Sequence, residues 1–135
     1  MEESIFTKII KGELPCHKIY EDEHAFAFLD IYSHEEGHTL VVLKKQVDKI
    51  YDLDDEDYTH LWLVAKKIAQ HYEEVLGKRV FFKVIGVDVP HAHIHIIPYD
   101  PKSHQEQDEH DVAEMVMKEP DHEALSKLAD TLRIT

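Results

Sequence analysis

The alternation of hydrophobic and polar positions predicts one helix, three strands, a long helix, two strands and then further helices. Ser4 can cap the first short helix, which we expect to end near Gly12. The run at 39–43 contains no charged residue and is typical of a buried central strand. This order indicates an α+β fold with a mainly antiparallel five-stranded sheet and helices packed on it. The predicted strands cover residues 17–21, 25–29, 39–43, 80–85 and 91–97.

The longest predicted element is an amphipathic helix from Asp54 to Leu76. Its first four residues are acidic, and the positive end of the helix dipole stabilises negative charge there. Hydrophobic side chains then recur at helical spacing, and Gly77 suits the position that follows a helix. We expect the hydrophobic stripe of this helix to pack against the sheet.

The composition changes at Pro98, which closes the last predicted strand. Residues 100–111 are polar and mostly acidic or uncharged, and such a stretch is typical of a solvated linker. Beyond it the hydrophobic spacing predicts two short amphipathic helices, over residues 112–117 and 124–132. We therefore divide the chain into a domain at 1–99 and an acidic linker with a helical C-terminal appendage at 100–135.

Length and charge restrict the classes of function. The chain has 135 residues, enough for one domain, and a formal net charge of −13 from 15 basic and 28 acidic residues. So large a negative charge disfavours non-specific binding of nucleic acid, whose phosphates need cations. A small anionic substrate is still allowed, because net charge does not set the local field in a pocket. No hydrophobic run reaches the roughly 20 residues that a membrane helix needs.

The first residues and the cysteine content indicate a cytoplasmic protein. The chain opens on Met1-Glu2-Glu3-Ser4, and lysines interrupt the hydrophobic stretch that follows, which argues against a secretory signal peptide. Cys16 is the one cysteine, so an internal disulfide framework is excluded. A zinc site that needs two or more thiolates from one chain is excluded as well.

The most unusual feature is a group of three histidines within five residues, His91, His93 and His95, in a chain that has 12 histidines. Successive side chains of a strand point to opposite faces, so these three are predicted to share one face. Hydrophobic residues alternate with them and face the other side. Neighbouring members lie about 6.5–7 Å apart at the backbone, which allows the rings to surround one phosphate group or one metal ion.

On the residues alone, three functions remain open for this histidine face. The first is a zinc or non-haem metal site, with His38 or an acid completing the ligand set. The second is nucleophilic catalysis, because neutral imidazole attacks phosphorus directly and flanking histidines bind phosphoryl oxygens or transfer a proton. The third is a surface that buffers pH or metal without catalysis.

The sequence around these histidines resembles the histidine triad (HIT) family of nucleotide-binding proteins. Residues 91–97 follow its pattern His-φ-His-φ-His-φ-φ, where φ is hydrophobic. The opening segment 5–15, the segment Phe28-Leu29-Asp30-Ile31 and the run 37–42, which starts with Gly37-His38, are also similar to the family. The resemblance covers about residues 4–98.

The resemblance implies a role for each residue that matches a family motif. His93, the middle histidine, would attack the α-phosphorus of a nucleotide, and water would then hydrolyse the nucleotidyl-histidine. His95 would contact phosphoryl oxygens, while His91 and His38 would support the reacting ring through hydrogen bonds. Asp30 would accept hydrogen bonds from the ribose hydroxyls. A hydrophobic slot for the base and the rest of the nucleotide site would be formed by Ile5, Phe6, Ile9, Phe28, Leu29, Ile31, Asp88 and Val89.

The resemblance also implies a substrate class and an assembly. The expected activity is hydrolysis of a purine nucleoside 5′-monophosphate from an amine, acyl or phosphate leaving group, without a metal or other cofactor. The alternatives are a dinucleoside polyphosphate hydrolase and a nucleotide- or metal-binding protein with little turnover. Family members are usually homodimers with joined sheets, and Trp62 of the long helix would lie either in such an interface or within the monomer.

Two segments depart from the family pattern. Many members carry a Gly-Gln pair before the triad, and the Gln side chain binds phosphate. In this chain Gly86 matches the glycine, whereas Val87 stands where the glutamine would be. Some members hold structural zinc on a Cys-x-x-Cys pair near the N-terminus. Here Ser4 and Thr7 occupy that spacing, so we expect no zinc at this position.

Overall fold

The computed structural model describes residues 2–101 and 119–134, and its strands form one antiparallel sheet. The strands are Lys18–Glu21 (β1), Ala25–Leu29 (β2), Thr39–Leu43 (β3), Val80–Lys83 (β4) and His93–Pro98 (β5). Their order across the sheet is β1-β2-β3-β5-β4, and every neighbouring pair is antiparallel. The predicted α+β fold with a five-stranded antiparallel sheet is therefore confirmed.

The caps of the first two helices lie where the sequence predicts them, whereas the first helix ends at Ile10, two residues before Gly12, and the C-terminal helix begins at His122, two residues earlier than predicted. Ser4 caps the first helix by accepting a hydrogen bond from the Thr7 amide, and Asp54 caps the long helix by accepting from the Asp57 amide. Gly77 ends the long helix with φ at +67°, a conformation that favours glycine. No helix within residues 2–101 and 119–134 has the length and hydrophobicity to cross a membrane. The helices are Ile5–Ile10 (α1), Asp55–Leu76 (α2) and His122–Leu132 (α3).

The central strands are buried because helices cover both faces of the sheet. Every residue of β2 and β3 is buried, as the uninterrupted hydrophobic run at 39–43 predicts. One face packs on α2 through Val41, Ile94, Ile96, Leu61 and Ile68, among others. The opposite face forms a smaller cluster with Phe6 of α1, which consists of Phe6, Phe26, Phe28, Leu40 and Val42. The functional residues described below lie on this second face.

The last two strands are shorter than the sequence predicts. β5 begins at His93 rather than His91, because the backbone amide of Ala92 donates to the carbonyl oxygen of Val47 in a loop, 2.7 Å away. β4 ends at Lys83 rather than Ile85, and the chain then turns through Gly86, which has φ at +72°. The hydrophobic pattern was continuous at both ends, so it could not reveal these loop contacts.

The second helix predicted in the C-terminal segment is confirmed as α3. Its Ala129 and Leu132 are buried in the same cluster as α2. Past its end, the Ile134 amide donates to the Ile19 carbonyl oxygen of β1. The helix predicted at 112–117 and nearly all of the predicted linker lie outside the described residues, and the division of the chain at residue 100 stays a prediction.

Candidate active site

The residues predicted to bind a nucleotide line one cleft between α1, the end of β2 and the loop before β5. The volume of this cleft is about 270 Å³. His93 and His95 of β5 also line it. The cleft contains every member of the predicted nucleotide site, namely Ile5, Phe6, Ile9, Phe28, Leu29, Asp30, Ile31, Asp88 and Val89. The structure therefore brings together residues from four separate segments of the sequence.

His93 directs one ring nitrogen into this cleft. Its Nδ1 lies 2.7 Å from the carbonyl oxygen of His91. Because a carbonyl oxygen only accepts, Nδ1 carries the proton and Nε2 keeps its lone pair in the neutral ring. Phe6 packs edge-on against the ring, with centroids 4.9 Å apart, and Nε2 lies 3.9 Å from Oδ1 of Asp88. The hydrogen bond thus fixes the orientation of the ring and, in its neutral form, leaves the lone pair on Nε2.

His95 stands at the end of a hydrogen-bonded chain that starts at Ser33. The Ser33 hydroxyl lies 2.8 Å from Nδ1 of His38, and Nε2 of His38 lies 2.8 Å from Nδ1 of His95. A carboxylate oxygen of Asp30 is 3.8 Å from the same Nε2 and favours a proton there. His38 then donates to His95, whose own proton sits on Nε2.

Burial keeps both rings of this pair neutral. Burial, with a smaller effect of the Lys83 charge, lowers the pKa of His38 from 6.5 to about 4. Burial, followed by the neighbouring His38 and His93, lowers the pKa of His95 to about 4. Loss of hydration disfavours the charged form of an imidazole. Both histidines therefore act as hydrogen-bonding groups at neutral pH rather than as cations.

Asp30 follows β2 directly, and its two carboxylate oxygens have different neighbours. Its Oδ1 accepts from the Tyr32 amide at 2.9 Å, whereas Oδ2 faces His38. The Asp30 amide donates to the His38 carbonyl oxygen at 2.8 Å, which closes the loop between β2 and β3. This closure sets the carboxylate beside the His38 ring, and of these two residues Asp30 lines the cleft whereas His38 does not.

His91 lies behind the cleft rather than in its wall. The residue is fully buried, with 0% of its surface exposed. Its Nε2–H donates to the Leu43 carbonyl oxygen at 2.6 Å, so its Nδ1 accepts from the Ser4 hydroxyl at 2.7 Å. Its own carbonyl oxygen orients His93. Of the three triad histidines, two therefore reach the cleft and His91 holds the backbone beneath them.

A polar cluster that no local sequence pattern predicts fixes His91. Ser4 caps α1 and also contacts His91 Nδ1. Gln46, in the loop after β3, accepts from the Ser4 amide at 2.8 Å and from the Thr7 hydroxyl at 2.7 Å. This cluster links the helix that supplies the hydrophobic slot to the triad strand. The sequence predicts that Ser4 caps a helix. It does not predict the contacts of Ser4 with Gln46 and His91, which lie 42 and 87 residues away.

A buried hydroxyl pair anchors the turn that carries His38. The Thr39 hydroxyl donates to the Gly37 carbonyl oxygen at 2.9 Å and accepts from the Tyr72 hydroxyl at 2.6 Å. Burial raises the pKa of Tyr72, so this phenol remains a protonated donor. Through Tyr72, the long helix thereby fixes the backbone directly before β3. This backbone carries His38, whose ring contacts His95.

Comparison with known proteins assigns the chain to a family. A family model described as the HIT domain matches residues 11–102. The chain belongs to the HIT family. Among its curated HIT relatives, the adenosine 5′-monophosphoramidase of Saccharomyces cerevisiae is 38% identical over 98 residues, which cover 70% of this chain and 61% of that protein.

Solved HIT structures share the fold of this chain. A Hit-like protein involved in cell-cycle regulation from Bartonella henselae has a TM-score of 0.78 and 27% identity, covering 97% of this chain and 95% of that chain. A HIT family hydrolase from Legionella pneumophila has a TM-score of 0.63 and 27% identity, covering 73% of this chain and 94% of that chain. The HIT resemblance stated from the triad is therefore confirmed.

Four further side chains, which were not predicted from the sequence, also line this cleft. They come from the turn before β1, the loop after β2 and the start of β3, and strand alternation gives no signal for the first two positions. They are Pro15, Cys16, Tyr32 and Leu40. Cys16 is half-buried, and burial raises the pKa of its thiol. This thiol is therefore a packing group of the cleft wall.

The loop that departs from the HIT pattern lies at the mouth of the cleft. Val87 is 89% exposed and makes no contribution to the cleft lining, whereas its neighbours Asp88 and Val89 both line it. The Asp88 carboxylate is about half exposed and accepts from the Val89 amide at 3.0 Å. The Asp88 carboxylate thus stands close to Nε2 of His93.

Proposed function

We propose that this chain is a nucleotide hydrolase that releases a nucleoside 5′-monophosphate through a nucleotidyl-histidine intermediate on His93. The observation that carries the proposal is the bond from His93 Nδ1–H to the His91 carbonyl oxygen, which leaves Nε2 unprotonated in the cleft. Oriented imidazole is a nucleophile at neutral pH without a separate base. The yeast relative named as an adenosine 5′-monophosphoramidase supports the reaction class.

The reaction has two displacement steps at the α-phosphorus. In the first, the Nε2 lone pair of His93 forms a bond to phosphorus, and the leaving group departs with the electron pair of its own bond and takes up a proton. In the second, water attacks phosphorus and loses a proton, and the pair of the P–N bond returns to Nε2. The net reaction adds one water, yielding the nucleoside monophosphate and the protonated leaving group.

The neighbouring groups have distinct roles in this proposal. The His95 Nε2–H donates to a phosphoryl oxygen, and it can do so as a neutral donor because His38 donates to its Nδ1. Asp30 Oδ2 accepts from the ribose hydroxyls. Phe6 and the other hydrophobic residues of the cleft hold the base. The leading substrates are purine nucleoside phosphoramidates, whose leaving group is an amine.

A nucleotide-binding protein with little turnover is the second candidate. It is favoured by the Asp88 carboxylate, which lies 3.9 Å from His93 Nε2 and opposes an incoming phosphate of like charge. Val87 also favours this candidate, because it replaces the family glutamine whose side chain binds phosphate. Dinucleoside polyphosphate hydrolysis is a variant of the leading proposal with a phosphate leaving group, and it is measured by using a dinucleoside polyphosphate as the substrate in the assay below.

The test is hydrolysis of adenosine 5′-phosphoramidate by chelator-treated protein, followed by the intact mass of the protein. We expect turnover together with a transient addition of one nucleotidyl group, and neither in the His93→Ala variant. Absence of turnover with tight AMP binding would favour the binding protein. Turnover without dependence on His93 would refute the nucleophile.

The proposal includes a homodimer formed through β4 and α2. β4 is an edge strand, and Phe82 on it is 41% exposed while packing edge-on against Trp62, with centroids 5.6 Å apart. Exposed hydrophobic groups beside an open edge favour sheet-to-sheet association. We expect a dimer in sedimentation that Phe82→Asp dissociates and that Tyr51→Asp leaves intact. A monomeric wild-type protein would contradict this part.

A further inference from the structure

A serine hydroxyl stands at the far end of the hydrogen-bonded chain that leads to His95. The Ser33 hydroxyl lies 2.8 Å from Nδ1 of His38, and Nε2 of His38 lies 2.8 Å from Nδ1 of His95. We propose that Ser33 is a positioning residue whose hydroxyl sets the tautomers of both rings, so that His95 carries its proton on Nε2. Its consequence for catalysis rests on the proposed function, in which that proton meets a phosphoryl oxygen.

The tautomers of these two rings matter because neither ring is charged at neutral pH. Burial lowers the pKa of His38 and of His95 to about 4. A neutral imidazole donates from one nitrogen and accepts at the other. A proton on Nε2 of His38 therefore leaves a lone pair on Nδ1 of His95 and a proton on its Nε2. The opposite tautomer of His38 would reverse both positions on His95.

The contacts of Ser33 give its hydroxyl a direction. Its oxygen accepts a hydrogen bond from the Glu35 amide at 3.0 Å, and a bond accepted at oxygen strengthens the hydroxyl as a donor. The His38 amide donates to the Glu35 carbonyl oxygen at 3.1 Å, so one turn of the chain holds all three residues. We therefore expect the Ser33 hydroxyl to donate to Nδ1 of His38.

The Asp30 carboxylate favours the same tautomer from the other side of the His38 ring. Its Oδ2 lies 3.8 Å from Nε2 of His38, and a negative charge at that distance favours a proton over a lone pair. With Nε2 protonated, Nδ1 has to accept a hydrogen bond, and Ser33 donates it. Loss of the Ser33 hydroxyl would remove one of the two groups that select this tautomer.

The other end of the chain is a buried nitrogen. Nε2 of His95 has no hydrogen-bond partner within residues 2–101 and 119–134, although His95 is only 7% exposed and lines the cleft. A buried donor without a partner is unfavourable, so a phosphoryl oxygen that reaches it would be bound strongly. A lone pair at the same position would repel that oxygen. The direction of the whole chain therefore decides whether His95 attracts a phosphoryl group.

The tautomers can be measured without any substrate. Two-bond ¹H–¹⁵N correlation spectra of ¹⁵N-labelled protein show which nitrogen of each histidine ring is protonated, and the spectra of His38→Gln and His95→Gln assign the two rings. At neutral pH we expect both rings of the wild type to be protonated on Nε2. Ser33→Ala should shift the tautomer ratio of His38 towards Nδ1 by at least about fivefold, the equivalent of one hydrogen bond.

The matched variant Ser33→Thr keeps a hydroxyl and should give the wild-type spectrum. Protonation of Nδ1 on either ring of the wild type would overturn the proposal, and this result does not depend on whether any variant folds. Unchanged tautomers in Ser33→Ala would overturn it as well.

The kinetic consequence is a loss of kcat without a loss of nucleoside binding. We expect Ser33→Ala to lower kcat for adenosine 5′-phosphoramidate by at least about fivefold, and Ser33→Thr to retain most of it. The affinity for adenosine, which has no phosphoryl oxygen, should stay within about twofold of the wild-type value. Ser126→Ala, on the exposed side of α3, is the control for the removal of a hydroxyl and should change neither quantity.

Adenosine binding separates positioning of the rings from support of the loop. Asp30 and Ser33 lie in the same loop, so a distorted loop would displace Asp30 and weaken adenosine binding. A parallel loss of kcat and adenosine affinity in Ser33→Ala, or an unchanged kcat, would therefore overturn the positioning role. A wild-type protein without turnover would instead refute the proposed function, and the spectra would still decide how Ser33 acts on the two rings.

Discussion

The carbonyl oxygen of His91 accepts a 2.7 Å hydrogen bond from Nδ1 of His93, two residues further along the chain. The bond joins the backbone of one triad histidine to the side chain of the next. It selects a single tautomer of His93, because the other one would direct a lone pair at the carbonyl oxygen. Backbone geometry therefore determines which ring nitrogen of His93 carries the lone pair, and this is the nitrogen that we propose as the nucleophile.

Replacing His93 by alanine should remove turnover and spare binding. Without a nucleophile the covalent route is closed, and we expect the rate of phosphoramidate hydrolysis to fall by at least about 10³-fold. The AMP dissociation constant should change by no more than about threefold, because Asp30 and the hydrophobic slot are intact. The exposed residue His122 provides the control, since His122→Ala should alter neither quantity. An active His93→Ala protein would rule out this nucleophile.

Replacing Ser4 by alanine should lower both stability and catalysis. The change removes the cap of α1, worth about 1 kcal/mol, and leaves the buried His91 Nδ1 without its donor, worth a further 1 kcal/mol or so. We expect the free energy of unfolding to fall by about 2 kcal/mol, measured by urea denaturation. The KM for the nucleotide should rise as well, because α1 supplies the slot. Ser4→Thr should keep most of the wild-type stability and nucleotide affinity. Ser126→Ala, on the exposed side of α3, should leave both quantities unchanged.

Gly37→Ala should displace His38, the residue that follows it. Gly37 has φ at +89°, and an added Cβ would lie 3.0 Å from Cγ of Pro98. Gly12 has a similar φ of +82° but nothing within 4 Å, so Gly12→Ala measures the backbone cost alone. We expect Gly37→Ala to be the more destabilising by about 1 kcal/mol or more and to reduce kcat. Equal losses of stability in the two variants would contradict this prediction, because they would mean that Pro98 moves away from the added Cβ at no cost.

The stability of the protein should fall as the pH drops from about 6.5 towards 4. The pKa of His38 and of His95 is lowered from 6.5 to about 4 in the folded chain. Between these values the unfolded chain binds more protons, so the free energy of unfolding rises with pH and reaches its full value above 6.5. The loss at low pH should amount to a few kcal/mol.

Denaturation curves at several pH values measure this effect. His38→Gln removes one of the two titrating groups and should flatten the dependence between pH 4 and 6.5. His24→Ala, at an exposed position, should leave it unchanged. A wild-type stability that is constant over this range would contradict the burial argument for the pair.

Nucleotide binding should protect Cys16 from alkylation. The thiol lines the cleft and is the one cysteine of the chain, so its modification by iodoacetamide can be followed by intact mass. At an AMP concentration ten times the dissociation constant, the rate should fall about tenfold, in proportion to the free protein. AMP should have no effect on the rate in urea-unfolded protein. Equal rates for the folded protein with and without AMP would place the nucleotide elsewhere.

Local patterns predicted most of the secondary structure because the signals were themselves local. The run at 39–43 coincides with β3, since a strand buried on both faces needs hydrophobic residues throughout. The capping residues Asp54 and Gly77 define α2 because they satisfy backbone groups within one turn. Alternation also placed Ile94 and Ile96 in the core beneath α2, opposite the histidines.

The start of β5 and the orientation of the site histidines depend on contacts between residues distant in the sequence, which no local pattern predicts. The start of β5 was misplaced because Ala92 pairs with Val47, 45 positions earlier in the chain. The position of His91 behind the cleft depends on Ser4, and His38 is oriented by Ser33 and His95. The nucleotide-site residues were found through the family resemblance rather than through spacing, and their roles stay proposals.

The hydrogen bonds from the end of the chain to β1 restrict how copies of this sheet can associate. Arg133 Nε and the Ile134 amide donate to the carbonyl oxygens of Lys18 and Ile19. They occupy acceptors that another strand would need, whereas β4 offers the opposite edge of the described sheet. A sheet with one covered edge can join a second copy only edge to like edge, about a two-fold axis. If copies associate through β4 as proposed, we expect growth to stop at two copies, with no uncovered edge left to extend into a fibre.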